Sequence, residues 1–209
     1  MTSERAAVLV MARYWAEGPV KTRLARSIGQ DRARRIYKGL AETVWNGLVG
    51  EGVQHERFLF VEPADRAAET GEWLGAPDHL EGQSAGDLGA RLQSAFQRAF
   101  SLGVDKAAVI GTDAPAVDGA VCREVFRGLD RHDVVIVPAL DGGYALLALK
   151  RVVPELFVDM PWSTEHVCAE TVERARRLGL QARVLDPVRD IDELSDWEAF
   201  EAECDGSGA

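Results

Sequence analysis

The chain alternates short, continuous apolar runs with longer segments in which apolar residues recur at a helical spacing. Six runs have the length of β-strands, and they lie at 6–12, 57–61, 106–111, 133–137, 144–149 and 182–185. Between them, the helical period predicts helices at 32–48, 64–74, 87–102 and 119–129. Two more helices are expected, one capped by Ser163 or Thr164 and ending near residue 178, and an acidic one over 193–203.

Repeated strand–helix units favour a parallel sheet with helices on both faces. The turn signal Asp141-Gly-Gly lies between two apolar runs, so it predicts an antiparallel hairpin within that sheet. The predicted fold is one α/β domain over 1–205, a three-layer α/β/α sandwich with a mixed, mostly parallel sheet, followed by a frayed tail at 206–209. Ligands of such sheets bind beyond the carboxyl ends of the strands, so we expect the chemistry in the loops that follow them.

Charge and composition narrow the classes of partner. The formal net charge of −10 argues against a general nucleic-acid-binding surface. Residues 13–38 carry eight bases and two acids, whereas 186–205 carry nine acids and one base. This asymmetry suits a small anionic ligand held with a metal, although two solvated helix faces would give the same pattern. No apolar run reaches membrane-spanning length, no signal peptide is evident, and three well-separated cysteines are typical of reduced thiols, so we expect a cytoplasmic protein without a membrane partner.

A basic loop follows the first predicted strand. It contains Arg13, Gly18, Lys21 and Arg23, the last two near an expected helix start. Backbone N–H groups with lysine and arginine side chains form phosphate sites, but a solvated basic turn is an equal alternative. The loop has neither the Walker A spacing nor the GxGxxG dinucleotide pattern.

Carboxylates follow two later strands. Asp113 comes directly after the third run, where it could hold a divalent cation such as Mg²⁺ or Mn²⁺, or serve as an Asx-turn or helix cap. Asp190 and Asp192 flank Ile191, and extended chain would place both carboxylates on one side with the isoleucine inward. Such a pair repels unless a cation joins it, but helix capping by Asp192 is the alternative.

Three further segments carry candidate binding residues. Gln83, Gly86 and Arg91 lie in a glycine-bearing loop and the helix after it, where they could hold a base or ribose or cap the helix. The predicted turn with Asp141, Gly142, Gly143 and Tyr144 would let a ligand approach the backbone closely. Trp162, before the fifth predicted helix, could bind ligand or only pack.

In this order, the motifs resemble one family. They read GPVKTRLA at 18–25, QSAGDLGAR at 83–91, GTDAP at 111–115, PALDGGY at 138–144, WST at 162–164 and DID at 190–192. The pattern, over 8–197, resembles the bacterial glycosyltransferase-A-like or nucleotide-diphospho-sugar-transferase-like family. That family was long carried as a domain of unknown function, and it is similar to phospholactate guanylyltransferases and molybdenum-cofactor nucleotidyltransferases. The sequence departs from the family pattern at Trp15, Ala16 and Glu17, where prolines are common, and at Pro19, where a base is common.

The resemblance implies roles for these residues. It assigns phosphate or nucleotide binding to seven residues, Arg13, Gly18, Lys21, Arg23, Gln83, Gly86 and Arg91. Acceptor binding falls to Asp141, Gly142, Gly143, Tyr144 and Trp162. Metal binding falls to Asp113, Asp190 and Asp192. The residues expected to act in catalysis are Asp113, Lys21 and Asp141.

The function expected from this reading is metal-dependent transfer of a glycosyl or nucleotidyl group. The donor is a nucleotide or nucleotide-sugar, the acceptor a small molecule, and the cofactor Mg²⁺ or Mn²⁺. Two alternatives stay open, a non-catalytic nucleotide sensor on the same fold and an interaction protein that uses the acidic C-terminal helix. A homodimer also stays open, because no sequence pattern fixes the oligomeric state.

Overall fold

A seven-stranded mixed sheet forms the centre of the protein in a computed structural model that describes residues 4–50, 52 and 54–206. Its strands are β1 (Ala6–Arg13), β2 (Glu56–Glu62), β3 (His79–Gly82), β4 (Lys106–Ile110), β5 (Val134–Pro138), β6 (Tyr144–Leu149) and β7 (Ala182–Val184). Their order across the sheet is β3-β2-β1-β4-β6-β5-β7. Only β6 runs antiparallel to its neighbours β4 and β5, which confirms the predicted hairpin and the mixed, mostly parallel sheet.

The described part of the chain contains seven α-helices. They are α1 (Thr22–Ile28), α2 (Gln30–Gly47), α3 (Ala67–Leu74), α4 (Leu88–Ser101), α5 (Gly119–Gly128), α6 (Val167–Arg177) and α7 (Leu194–Gly206). Short 3₁₀ turns lie at Ala64–Arg66 and Pro154–Leu156. None of these helices combines the length and the apolar character needed to cross a membrane.

The core consists of one apolar layer on each face of the sheet. In β1, Val8 and Val10 face the layer under α2 and α5, whereas Ala7 and Leu9 face the layer under α4. Successive strand side chains point to opposite faces, so a strand buried on both faces must be continuously apolar. This is why the apolar runs predict the central strands and the α/β/α layering.

Two local predictions were wrong or incomplete. The side chain of Ser163 or Thr164 does not cap α6, which begins at Val167 after His166, because Ser163 has a φ of 63° and the Thr164 hydroxyl donates to the Pro161 carbonyl at 2.7 Å. No sequence pattern predicted β3, a four-residue edge strand whose side chains are partly buried or exposed. The acidic helix continues to Gly206, and residues 207–209 of the predicted frayed tail lie outside the described residues.

Two helical glycines are predicted to respond oppositely to alanine. A Cβ at Gly89 in α4 would lie 2.5 Å from the Phe157 carbonyl oxygen and 2.9 Å from Trp162 Nε1, so Gly89→Ala should destabilise the protein by about 1–3 kcal/mol. A Cβ at exposed Gly39 in α2 meets nothing within 4 Å, so Gly39→Ala should stabilise by roughly 0.5–1 kcal/mol. Urea denaturation of both variants measures the difference, and equal effects would contradict this account of the α4 packing.

Candidate functional site

Two joined clefts open at the carboxyl ends of β1 and β4. The outer cleft, of about 620 Å³, is lined by Arg13, Pro19, Val20, Lys21, Thr22, Arg23, Tyr37, Asp113, Asp141, Ser163, Thr164, Glu165 and Asp192. The inner cleft, of about 310 Å³, is lined by Met11, Arg13, Glu62, Gln83, Leu88, Arg91, Leu92, Val109, Ile110, Gly111, Asp113, Tyr144 and Ala145. Because Arg13 and Asp113 line both, the two clefts meet at these side chains.

An ion pair between Lys21 and Asp113 crosses this junction. Lys21 Nζ lies 2.5 Å from Asp113 Oδ1, and the lysine side chain is only 4% exposed whereas that of Asp113 is 47% exposed. Lys21 precedes α1 in the left-handed region, with a φ of 50° that is uncommon for a residue with a side chain. The capping alternative for Asp113 does not apply to α5, because Asp118 Oδ1 accepts the N–H groups of that helix.

Tyr37 of α2 supports the end of β1 from below the outer cleft. Its hydroxyl accepts the Arg13 N–H at 2.7 Å, donates to the Arg13 carbonyl at 3.1 Å, and accepts from Thr112 Oγ1 at 3.2 Å. Burial raises the pKa of Tyr37 to about 12, so the phenol is neutral at physiological pH. Tyr37 lies within the helix predicted over 32–48, and no sequence motif marked it as a site residue.

The Asp141-Gly-Gly turn is held against the segment before α6. Asp141 Oδ1 accepts the Gly143 N–H at 2.8 Å. Gly142 has a φ of 91°, and a Cβ there would lie 2.2 Å from the Glu165 carbonyl oxygen, so only glycine fits this approach. The Gly142 carbonyl in turn accepts the Cys168 N–H at 3.0 Å. These contacts place Asp141 on the outer cleft beside residues 163–165.

The Asp190–Asp192 segment approaches the same junction from the C-terminal region. Ile191 is fully buried, as predicted, and its N–H donates to the Asp113 carbonyl at 2.9 Å. Asp192 lines the outer cleft and lies 3.3 Å from Arg23 Nη1. Asp190 lies in an adjoining cavity of about 230 Å³ that Asp141 and Asp192 also line. The backbone N–H groups of Asp192 and Glu193, just before α7, donate to the Asp196 carboxylate in the first turn of that helix.

Burial raises the pKa of Asp190 to about 6, and the negative charge of Asp141 contributes further. Among the described residues, no group of three or more His, Cys, Asp or Glu side chains is arranged to hold a metal ion. The donor chemistry nevertheless suits Mg²⁺ or Mn²⁺ in a mixed site, because such ions are often held by one or two carboxylates together with ligand phosphates. Asp113 and Asp192, both on the outer cleft, are the side chains that would provide this.

The residues at 83–91 form one wall of the inner cleft. Gln83 Nε2 donates to the carbonyls of Ala12 and Phe60, so its amide nitrogen joins the ends of β1 and β2. Arg91 Nε donates to the Gly86 carbonyl at 3.1 Å. The predicted alternative of a helix cap is also present in this loop, since Asp87 Oδ1 accepts the Ala90 N–H at the start of α4.

The predicted acceptor residues do not all lie on the same cleft. Asp141 lines the outer cleft, whereas Tyr144 lines the inner one. Trp162 packs edge-on against Tyr144 with ring centroids 6.3 Å apart and lies close to Gly89. The Tyr144 hydroxyl and Trp162 Nε1 are buried and have no hydrogen-bond partner in the described part of the chain. Trp162 therefore contributes packing behind the inner cleft.

The seven-stranded mixed sheet and its helices define the fold class of the protein. This architecture is shared by nucleotidyltransferases and glycosyltransferase-A-like proteins. The chain belongs to the family described as "Uncharacterized protein conserved in bacteria (DUF2064)", whose model matches residues 48–164. No curated protein matches the chain significantly.

Solved structures support the same class. A Desulfovibrio desulfuricans G20 protein, provisionally named a nucleotide-diphospho-sugar transferase, is 29% identical with a TM-score of 0.86, covering 94% of this chain and 86% of that one. The CMP:2-keto-3-deoxy-manno-octonic acid synthetase complexed with CTP is 14% identical with a TM-score of 0.56, covering 98% and 100%. A Mycobacterium tuberculosis H37Rv protein complexed with manganese is 16% identical with a TM-score of 0.54, covering 94% and 97%. The last two share the fold alone.

We predict an asymmetric response to breaking the ion pair at the junction. Asp113→Ala leaves the buried Lys21 ammonium without its carboxylate, so unfolding free energy should fall by about 1–3 kcal/mol. Lys21→Met leaves a half-exposed carboxylate that water can solvate, so its cost should stay under about 1 kcal/mol. Urea denaturation of the two variants tests this order, and a larger loss for Lys21→Met would contradict it.

A pH dependence follows from Asp190. Its folded-state pKa of about 6 lies above the usual aspartate value, so the ionised form destabilises the fold above that pH. Relative to Asp190→Asn, the wild type should therefore gain stability as pH falls from 7 towards 5, by about 1 kcal/mol at most after allowance for partial solvent screening. The difference from the variant is the quantity to compare, because burial lowers the pKa of His55 to about 4 and this group destabilises the fold as pH falls over the same range. Asp190→Asn should remove the Asp190 contribution to the pH dependence, and Asp186→Asn, a change at an exposed neighbour, should keep the wild-type pH dependence. Thermal melts across this pH range would refute the assignment if Asp190→Asn kept the wild-type slope.

Proposed function

We propose that this protein is a metal-dependent transferase that takes a glycosyl or nucleotidyl group from a nucleotide donor and passes it to a small-molecule acceptor. The observation that carries the proposal is the meeting of Lys21, Arg13 and Asp113 at the junction of the two clefts. Cationic groups suit phosphates, and a strand-end carboxylate suits a divalent cation, so one junction offers both requirements of a phosphorylated donor.

The inner cleft is proposed to take the base and ribose of the donor. Its floor is apolar, from side chains such as Met11, Leu92 and Val109, while Gln83 and Arg91 add polar groups at the wall. A mainly apolar pocket with a few fixed polar groups is a typical binding site for a small planar ligand. The donor phosphates would then extend past Arg13 into the outer cleft.

In the outer cleft, the cations that would meet those phosphates are already paired with carboxylates. Lys21 pairs with Asp113, and Arg23 lies near Asp192. An anionic donor therefore gains little by binding alone, because it would replace one carboxylate by another anion. Asp113 and Asp192 are the residues that would hold Mg²⁺ or Mn²⁺, and such an ion would supply Lewis-acid stabilisation of the leaving phosphate. Lys21 and Arg23 would then neutralise the remaining charge of the donor phosphates.

The acceptor is proposed to bind on the side of the outer cleft formed by Asp141, Gly142 and Gly143. Asp141 is fixed by the Gly143 N–H, and as a carboxylate it can accept the hydrogen bond of an acceptor hydroxyl. Glycosyl transfer would release the nucleoside diphosphate from a sugar carbon. Nucleotidyl transfer would release pyrophosphate from the α-phosphorus.

A thermal-shift screen tests this proposal. Triphosphates and nucleotide-sugars are each combined with Mg²⁺, Mn²⁺ or EDTA, and a ligand at 100 times its Kd should add about 2.7 kcal/mol of stability, or roughly 5–10 °C for a chain of this size. We expect a shift that EDTA abolishes. A shift with triphosphates alone would select nucleotidyl transfer, and one with nucleotide-sugars alone would select glycosyl transfer.

The matched control for Asp113→Asn is Asp130→Asn, because Asp130 pairs with a lysine at the opposite end of β4. Asp113→Asn should lose the metal-dependent shift. Asp130→Asn should keep it, although Asp130 likewise pairs with a buried lysine, Lys106. Absence of any ligand-dependent shift in the wild type would refute the proposal, and a shift that Asp113→Asn and EDTA leave intact would favour a non-catalytic nucleotide sensor.

A further inference from the structure

A carboxylate that the sequence motifs do not contain links the two clefts. Glu62 is the last residue of β2, directly opposite Arg13, the last residue of β1. Each oxygen of the Glu62 carboxylate contacts a different arginine, since Oε2 lies 3.0 Å from Arg13 Nη2 and Oε1 lies 2.7 Å from Arg91 Nη1. Arg13 at the end of β1 and Arg91 in α4 are 78 positions apart in the chain.

The Glu62–Arg91 half of this bridge is more constrained than an ordinary surface ion pair, whereas the Arg13 side chain is half-exposed. The Glu62 side chain is 29% exposed and that of Arg91 is 24% exposed. Arg91 is held a second time by the Gly86 carbonyl, and the Glu62 carbonyl accepts the Tyr14 N–H at 2.8 Å. The side chain and the backbone carbonyl of Glu62 therefore both hold the start of the loop after β1. Because the fold already orders these groups, the ion pairs lose less of the side-chain entropy that weakens surface ion pairs.

The position of the bridge gives it a place in ligand binding. Glu62 and Arg91 line the inner cleft, and Arg13 lines both clefts. Two guanidinium groups this close would repel each other without an intervening carboxylate. Glu62 thus allows the Arg13 and Arg91 guanidinium groups to lie close together at the boundary between the proposed base site and the proposed phosphate site.

We propose that Glu62 is a positioning residue for the nucleotide donor, which holds the Arg13 and Arg91 guanidinium groups in the arrangement that receives the donor. It acts through these arginines. This inference rests on the proposed function, because it assigns the donor to the two clefts. Its physical basis is preorganisation, since a site whose cations are already ordered loses less entropy when a ligand binds.

A positioning role and a purely electrostatic role for Glu62 predict opposite changes in ligand affinity when Glu62 is replaced by glutamine. Glu62→Gln removes a negative charge from the junction, so Coulomb attraction alone would tighten the binding of a phosphorylated anion. If the carboxylate instead positions the two arginines, the same change releases them and weakens binding. The direction of the change in affinity therefore separates a positioning residue from a residue that contributes only charge.

Glu56, at the other end of β2, provides a matched control. It also joins two groups, with Oε1 at 2.7 Å from Arg5 Nη2 and Oε2 at 3.2 Å from His79 Nε2, and its side chain is 28% exposed. Glu56→Gln should perturb stability much as Glu62→Gln does. It lies at the amino end of the strand, away from both clefts, so it should leave donor affinity unchanged.

The experiment is calorimetric titration of wild type, Glu62→Gln, Glu62→Asp and Glu56→Gln with CTP, UDP-glucose and inorganic tripolyphosphate, each with Mn²⁺. Glu62→Gln should weaken the binding of the wild-type ligand about tenfold, the lower end of what supporting residues behind metal ligands typically contribute. Glu62→Asp keeps the charge and should recover part of the loss. Tripolyphosphate, which has no base, reports whether the effect reaches the phosphates.

Equal or tighter binding by Glu62→Gln, with wild type binding normally, would overturn the positioning role and leave the proposed function intact. An equal loss in Glu62→Gln and Glu56→Gln would also overturn it, because the effect would then be general. If wild type bound none of the three probes, the proposed function and this inference would fail together. Should Glu62→Gln not fold, unchanged affinity in Glu62→Asp despite the shorter side chain would count against the inference.

Discussion

The ion pair between Lys21 and Asp113 is the constraint on which the arrangement of the site depends. An ammonium group that is almost fully removed from water needs a carboxylate, and Asp113 provides it from the loop after β4. The backbone carbonyl of Asp113 also accepts the Ile191 N–H, so the acidic segment near the C-terminus is joined to the same point. One residue thus brings together three segments that are distant in the chain, and the outer cleft is the space between them.

The cleft is built from opposite charges that largely satisfy one another. Arg13 pairs with Glu62, Lys21 with Asp113, and Arg23 with Asp192. This solves a folding problem, since a concentration of unpaired cations in a concave, partly buried space would be costly. Under the proposed function it also affects ligand binding, because a phosphorylated ligand would either exchange with a carboxylate or bind together with a cation. The electrostatics of the unliganded fold and the expected metal requirement therefore have the same origin.

Local patterns predicted the framework better than the site. Continuous apolar runs identify buried strands because both faces of the sheet are covered, and Asp141-Gly-Gly marks the reversal into β6. The inward direction of Ile191 also follows from simple alternation. The roles of Glu62 and Tyr37 do not follow, because their partners are set by strand register and helix docking rather than by neighbouring sequence. The short strand β3 was not predicted from the sequence for a similar reason, since an edge strand needs few apolar residues.

The departures from the family pattern after β1 have a physical explanation in side-chain anchoring. Trp15, where prolines are common, packs edge-on against Trp73 at 6.4 Å, and the Lys38 ammonium lies 5.1 Å from its ring. Glu17 accepts two hydrogen bonds from the Arg66 guanidinium, at 2.5 and 3.1 Å. Proline restricts a loop through its backbone, whereas these residues restrict it through contacts with α2, α3 and the turn before α3. The loop can therefore be preorganised for a ligand without the prolines, provided that these anchors hold its ends while Lys21 fixes its junction with α1.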